Sequence, residues 1–203
     1  YIFSGPRGTG KTSIAKIFSK AVNCLNTTDG DLCNNCENCL QNIDEEIDII
    51  EIDAASNNGV DEIREIRNNV KLMPVHLKYK VYIIDEVHML STSAFNALLK
   101  TLEEPPKHVI FILATTEFNK IPSTVISRCQ KFDFKKITIK QIEGRLKYIL
   151  EKENKTLNDD VISLIAKLSD GGLRDAINTL DQVISLDKEN ITTDDVYNLI
   201  GDV

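Results

Sequence analysis

Short runs of branched apolar residues alternate along the chain with segments whose apolar positions recur every three or four residues. Runs of the first kind, read as buried strands, fall at residues 1–4, 47–53, 80–85, 109–114 and 131–134. The second kind begins after a glycine-rich stretch, where Ile14, Ala15, Ile17, Phe18, Ala21 and Val22 mark a helix over about 11–23. A turn, Ala-Ala-Ser-Asn-Asn-Gly, precedes another helix with Val60, Ile63, Ile66 and Val70 on one face, and Pro74 closes that region. A third helix spans 93–103 through Phe95, Leu98, Leu99 and Leu102; Pro105-Pro106 stops it, since proline cannot continue the ladder. Strands alternating with helices predict a mostly parallel sheet covered on both faces. Beyond residue 135 no strand pattern recurs. Thr138 with Gln141 reads as a capping box opening a helix. Further helices are predicted near 158–169, 173–186 and 193–200, with Gly171-Gly172 breaking between two of them. The pattern therefore predicts an α/β domain over 1–136 and a small all-helical domain over 137–203.

Composition narrows the class. The 203 residues carry 24 Lys+Arg against 31 Asp+Glu, a net charge of −7, with 42% hydrophobic residues. That is ample for a buried core, and the acidic balance argues against a surface coated in basic charge for nucleic acid while leaving local basic faces open. No apolar run approaches the roughly 20 residues that span a bilayer, and no N-terminal signal pattern is present. A cytoplasmic protein is expected, without a membrane partner. The chain starts at Tyr1 within an apolar run, which reads as a fragment of something longer.

Gly5-Pro6-Arg7-Gly8-Thr9-Gly10-Lys11-Thr12 matches the phosphate-loop pattern G-x-x-x-x-G-K-[ST], between a predicted strand and a predicted helix. Glycines let backbone N–H groups converge on phosphate oxygens, and the helix N-terminus adds favourable partial charge. Lys11 is expected to reach the β- and γ-phosphates and the Thr12 hydroxyl to ligate Mg²⁺, with Ser13 next in the loop. The strand Val81-Tyr82-Ile83-Ile84 ends in Asp85-Glu86: Asp85 is placed to face the metal, directly or through water, and Glu86 to orient the attacking water. An acidic strand end that is merely solvated is the bland alternative. An acid beside the metal aspartate indicates ATP; the Asn119-Lys120-Ile121-Pro122 stretch lacks the aspartate of a guanine-reading motif.

Four of the five cysteines form Cys24-x8-Cys33-x2-Cys36-x2-Cys39. Four thiolates in a turn-rich loop suit a closed, structural tetrahedral Zn²⁺ site; an iron–sulfur cluster and free thiols are the alternatives. Cys129 reads as a small buried residue. The histidines, His76, His88 and His108, are scattered and receive no chemistry.

In one order and spacing the chain carries Gly-Pro-Arg-Gly-Thr-Gly-Lys-Thr, Val-Tyr-Ile-Ile-Asp-Glu-Val-His-Met-Leu, Leu-Leu-Lys-Thr-Leu-Glu-Glu-Pro-Pro, Ser-Arg-Cys and Gly-Gly-Leu-Arg-Asp-Ala. On these residues it resembles the AAA+ cores of the bacterial clamp-loader motor family, the gamma/tau subunits of DNA polymerase III, over nearly its whole length. The resemblance implies a five-stranded AAA+ sheet, an inserted zinc module near 24–39 and a helical lid over the nucleotide. It implies a Mg-dependent ATPase within a DNA polymerase holoenzyme, a nucleotidyltransferase complex. Its partners would be other clamp-loader subunits, the sliding clamp, primer-template DNA and the replicative polymerase. It makes Thr116 the sensor of the γ-phosphate, with Thr115 as fallback, and Arg174 a second, lid-borne sensor. Arg128 becomes an arginine finger acting in a neighbouring subunit. On spacing alone Arg174 and Arg128 would be surface cations. Arg64 and Lys100 become candidate DNA phosphate contacts, against a reading of the Arg64 helix as a solvated face with pairs such as Asp61 with Arg64. The expected activity is ATP-driven opening and loading of the clamp. A scaffold that binds nucleotide without turnover, or another AAA+ DNA-processing ATPase, is the alternative; the zinc cluster argues against the latter. A missing C-terminal collar would leave this fragment monomeric.

Overall fold

The computed structural model describes residues 1–186, 188 and 190–201; the last two positions of the predicted helical domain, 202 and 203, lie outside the described residues. The chain divides into two compact units: Tyr1–Gly5 with Lys11–Asp133, and Pro6–Gly10 with Phe134–Val203.

In the first unit, β1 (Ile2–Ser4) is followed by α1 (Lys11–Asn23), the short α2 (Glu37–Leu40), β2 (Ile49–Asp53), α3 (Val60–Asn69), β3 (Lys80–Asp85), α4 (Thr92–Glu103), β4 (Val109–Thr115), α5 (Ser123–Ile126) and β5 (Lys131–Asp133). The five strands form one parallel sheet in the order β2-β3-β4-β1-β5. Its central strands are apolar almost throughout, because helices leave no polar face: β3 from Lys80 to Ile84 is wholly buried. Ile63 and Ile66 of α3 and Ala94, Phe95 and Leu98 of α4 pack with Tyr82, Ile84, Phe111 and Leu113 in one cluster. A parallel sheet places every strand's carboxyl end at one edge, so Ser4, Asp85 and Thr115 emerge together there, with Ser4 opposite Thr115 in register.

Several sequence expectations shift by a residue or two. The second strand starts at Ile49: Ile47 is 56% exposed, while Asp48 is fully buried and its carboxylate accepts the N–H groups of Val75, His76 and Leu77. Periodicity counts Ile47 as apolar and cannot see that a neighbouring carboxylate takes the inward place. Phe134 lies past β5, and Val70, counted on the helix face, is the C-cap of α3, whose last residue is Asn69. Cys129 is partly buried against the core rather than fully within it.

The second unit contains α6 (Ile139–Lys152), α7 (Asp159–Leu168), α8 (Leu173–Ile184) and α9 (Thr193–Ile200). Thr138 and Gln141 form the reciprocal capping box that opens α6. Ile142, Leu146, Leu150, Val161, Ile165, Ala176, Leu180, Val183 and Val196 are buried together, one apolar stripe from each helix.

Candidate functional site

Residues 5–12 make the strand-to-helix turn. Gly8 (φ +73°) and Gly10 (φ +93°) occupy the left-handed region that disfavours a side chain. Gly8 is also closely approached: a Cβ there would stand 3.1 Å from Gly172 Cα. The Gly8 carbonyl accepts the Leu173 N–H at 2.9 Å, so the start of α8 is pinned to the loop segment Pro6–Gly10 within one unit. Thr9 Oγ1 donates to the Pro6 carbonyl at 2.8 Å. Arg7 and Ser13 are exposed.

Lys11 opens α1 with its side chain inside the fold, and its Nζ donates to the Gly5 carbonyl at 2.9 Å. Burial lowers its pKa, and the Glu86 and Asp85 carboxylates oppose that shift. Thr12 Oγ1 donates to Asp85 Oδ2 at 2.6 Å. The hydroxyl and the carboxylate that a shared divalent cation would need are thus already side by side, and this oxygen donor set fits Mg²⁺.

Glu86 follows β3 in the left-handed conformation, φ 44° and ψ 44°, which costs a non-glycine residue about 1 kcal/mol. Its backbone N–H donates to Asp85 Oδ1 at 2.8 Å. Its carboxylate Oε2 accepts both the Thr116 N–H at 3.1 Å and the Thr116 hydroxyl at 2.8 Å. Thr115 is fully buried instead, with its Oγ1 3.0 Å from His88 Nδ1 and accepting the Glu117 N–H. The geometry brings Thr116, not Thr115, onto Glu86. His88, passed over in the sequence, belongs to this cluster; the only signal was its place in the Asp-Glu-Val-His run, where a turn returns the chain to the strand end.

Arg174, the second residue of α8, sits against the loop, its Cβ 3.5 Å from where a Gly8 Cβ would be. Arg128 lies past α5 and points its guanidinium at Glu103, with Nη2 to Oε1 at 2.6 Å, while Nη1 donates to the Thr124 carbonyl and to Ser127 Oγ. Arg64 is exposed and paired with Asp61 at 2.7 Å, the intrahelical pair its spacing allowed. Lys100 is exposed on α4 and has no ion pair among the described residues.

The four cysteines converge. Cys24 Sγ stands 3.9 Å from Cys36 Sγ, Cys33 Sγ 3.8 Å from Cys39 Sγ, and all four sulfurs lie within 4.8 Å of one another. A tetrahedron with Zn–S bonds of about 2.3 Å has edges of about 3.8 Å, so the donor set fits Zn²⁺. Lys20 of α1 donates to the carbonyls of Cys39 and Gln41, and Asn38 donates to the Asn23 carbonyl, which fastens this loop to α1. A hydrogen bond from the Leu25 N–H brings the Cys36 thiol down to about 6, while burial pushes the neighbouring Cys39 thiol up to about 12.

A family model described as DNA polymerase III, delta subunit, matches residues 1–138, and one described as DNA polymerase III clamp loader subunit, ATPase lid domain, matches residues 141–193. The DNA polymerase III subunit tau of Bacillus subtilis is 58% identical over 204 residues, covering 100% of this chain and 36% of that protein. The gamma/tau subunit of Mycoplasma genitalium is 54% identical (98% and 34% covered), and the tau subunit of Escherichia coli 44% identical (99% and 31% covered). The chain thus spans about a third of the length of these relatives. Among solved structures, the Thermotoga maritima RuvB Holliday junction branch migration motor superposes with a TM-score of 0.66 at 20% identity, over 98% of this chain and 60% of that one. At that identity the likeness shows the fold, an α/β AAA+ core with a helical region.

Proposed function

The chain belongs to the gamma/tau family of DNA polymerase III clamp-loader subunits, and on that premise we propose that it is the ATP-hydrolysing motor part of such a subunit. The observation that carries the reading is the Thr12–Asp85 contact beside a Glu86 carboxylate aimed at Thr116. Gly5–Thr12 backbone amides bind the phosphates, Lys11 neutralises the β- and γ-phosphate charge, and Thr12 with Asp85 holds Mg²⁺. When bound, the cation would supply charge neutralisation at the phosphates. Glu86 orients the attacking water and accepts its proton. Thr116 reads the γ-phosphate, and Arg174, carried on α8 against the loop, supplies a second cation to the nucleotide. Arg128 acts on the nucleotide of a neighbouring subunit, where an arginine finger stabilises transition-state charge. Cys24, Cys33, Cys36 and Cys39 hold a structural Zn²⁺.

In the whole cytoplasmic protein, ATP binding drives assembly with other clamp-loader subunits, opening of the sliding clamp and grip on primer-template DNA, with Arg64 and Lys100 as candidate phosphate contacts. Hydrolysis releases the clamp onto DNA for the replicative polymerase, within the holoenzyme that performs nucleotidyl transfer.

The test is ATP turnover by the full-length subunit in a reconstituted loader with clamp and primed DNA, comparing wild type with Arg128→Ala. A clamp- and DNA-dependent rate that collapses in the variant, with ATP binding intact, is expected. Turnover indifferent to DNA, clamp and Arg128 would sink the clamp-loading reading.

A further inference from the structure

His88 sits in the short turn Val87–Met89 after β3, with its side chain only 6% exposed. Its hydrogen-bond partner is the Thr115 hydroxyl, and a carboxylate oxygen lies close to each ring nitrogen. Nδ1 is 3.0 Å from Thr115 Oγ1 and 3.3 Å from Glu86 Oε2, and Nε2 is 3.3 Å from Glu117 Oε1. The Glu86 oxygen that faces the ring is the same one that accepts both donors of Thr116. On the far side Glu117 is itself tied down, by Lys120 at 2.8 Å and by its own N–H to Thr115 Oγ1.

A glutamate has three side-chain torsions, and its last one is broad. Fixing a carboxylate for water activation therefore needs contacts on more than one side. Thr116 supplies one side from the end of β4. The imidazole supplies another from the turn after β3, and it is rigid, buried and braced at its opposite nitrogen. A packing histidine would not need both nitrogens beside carboxylates.

We propose that His88 is a positioning residue for Glu86, its Nδ1 edge walling one side of the carboxylate at 3.3 Å while the Thr115 hydroxyl anchors the ring and Glu117 flanks it at Nε2. The inference rests on the reading of Glu86 as the water-orienting residue. His88 touches neither substrate nor reacting atoms; it sets where the reacting carboxylate stands.

Asparagine and glutamine separate the two edges of the ring, because an Asn amide reaches the place of Nδ1 and a Gln amide that of Nε2. The experiment measures ATP turnover of the full-length subunit in the reconstituted loader with clamp and primed DNA. In His88→Gln, kcat is expected to fall on the order of 10-fold while KM for ATP stays within about 2-fold, since misplacing a catalytic group slows chemistry without weakening binding. His88→Asn is expected to retain kcat within about 3-fold of wild type. A His88→Gln variant with wild-type kcat, or an Asn variant that falls as far as the Gln variant, overturns the proposal. Should His88→Gln fail to fold, Glu117→Gln replaces it: a lowered kcat at constant KM is expected, and an unchanged kcat overturns the proposal. Glu86→Gln is assayed alongside. If its turnover is normal, the parent reading fails and His88's role with it; if it is inactive while His88→Gln is normal, only the present inference fails.

Discussion

The Thr116 hydroxyl carries one proton, and in the structure that proton goes to Glu86. A γ-phosphate oxygen at the same place would compete for it, so Thr116 cannot serve both acceptors at once. Removing the Glu86 charge should separate binding from chemistry. Glu86→Gln is expected to bind ATP within a few-fold of wild type while turnover drops by about 10²-fold or more, read by nucleotide titration against single-turnover kinetics. Lys11→Ala is expected to lose nucleotide binding or turnover, and normal ATPase in that variant would remove the loop from its assigned role. Asp48 shows the same logic applied to stability. Burial pushes its pKa up, but hydrogen bonds from His76, Leu77 and Val75, with Lys80 nearby, more than offset this and hold it below the ordinary value. A depressed folded pKa means this stabilisation is complete above the unfolded carboxylate pKa of about 3.9 and fades as pH falls from there through the folded value. Asp48→Ala leaves the N–H groups of Val75, His76 and Leu77 without their carboxylate acceptor, and chemical denaturation is expected to show a loss of about 1–3 kcal/mol.

At the scale of elements, the four-cysteine loop and the helix caps make separate predictions. Four sulfurs near tetrahedral spacing are tied to α1 through Lys20 and Asn38, so the metal should organise residues 24–41 while leaving the sheet intact. Purified protein is expected to hold one Zn²⁺ per chain by elemental analysis. Cys33→Ser should lose it, with protease cutting first within that loop; cadmium or iron in place of zinc, or no metal, would count against the assignment. In the helical unit, the Thr138 hydroxyl caps α6 and the Thr138 N–H donates in return to Gln141 Oε1. Thr138→Ala is expected to cost about 1 kcal/mol, measured as a lowered Tm without change in ATP affinity.

For the whole molecule, the proposed reading distributes catalysis beyond one chain. Arg128 is held by Glu103 and Thr124 of its own chain, which uses part of its five-donor fork; on the proposed reading the rest of the fork serves a neighbour's phosphate. An isolated chain is therefore expected to bind ATP and hydrolyse it slowly, with turnover rising on the order of 10³-fold on assembly with neighbouring subunits, checked by titrating subunits into a steady-state assay. Equal rates alone and assembled would put Arg128 outside the reaction.

Strand and helix order, the phosphate loop, the Asp85-Glu86 pair and the cysteine spacing were all readable in the sequence, because each is a local pattern whose period or spacing carries its physics. The α6 capping box was legible for the same reason: donor and acceptor lie three residues apart. The lateral order β2-β3-β4-β1-β5 came to the sequence only through resemblance, since nothing local in a strand says which neighbour it pairs with. Tertiary structure alone decided that Asp48, not Ile47, turns inward, because its three N–H donors lie 27 to 29 residues away. It decided that Arg128 faces Glu103, 25 residues away in sequence. It also brought a scattered histidine beside Glu86, because His88 is placed by Thr115 and Glu117, residues that join it only when β3 and β4 lie side by side.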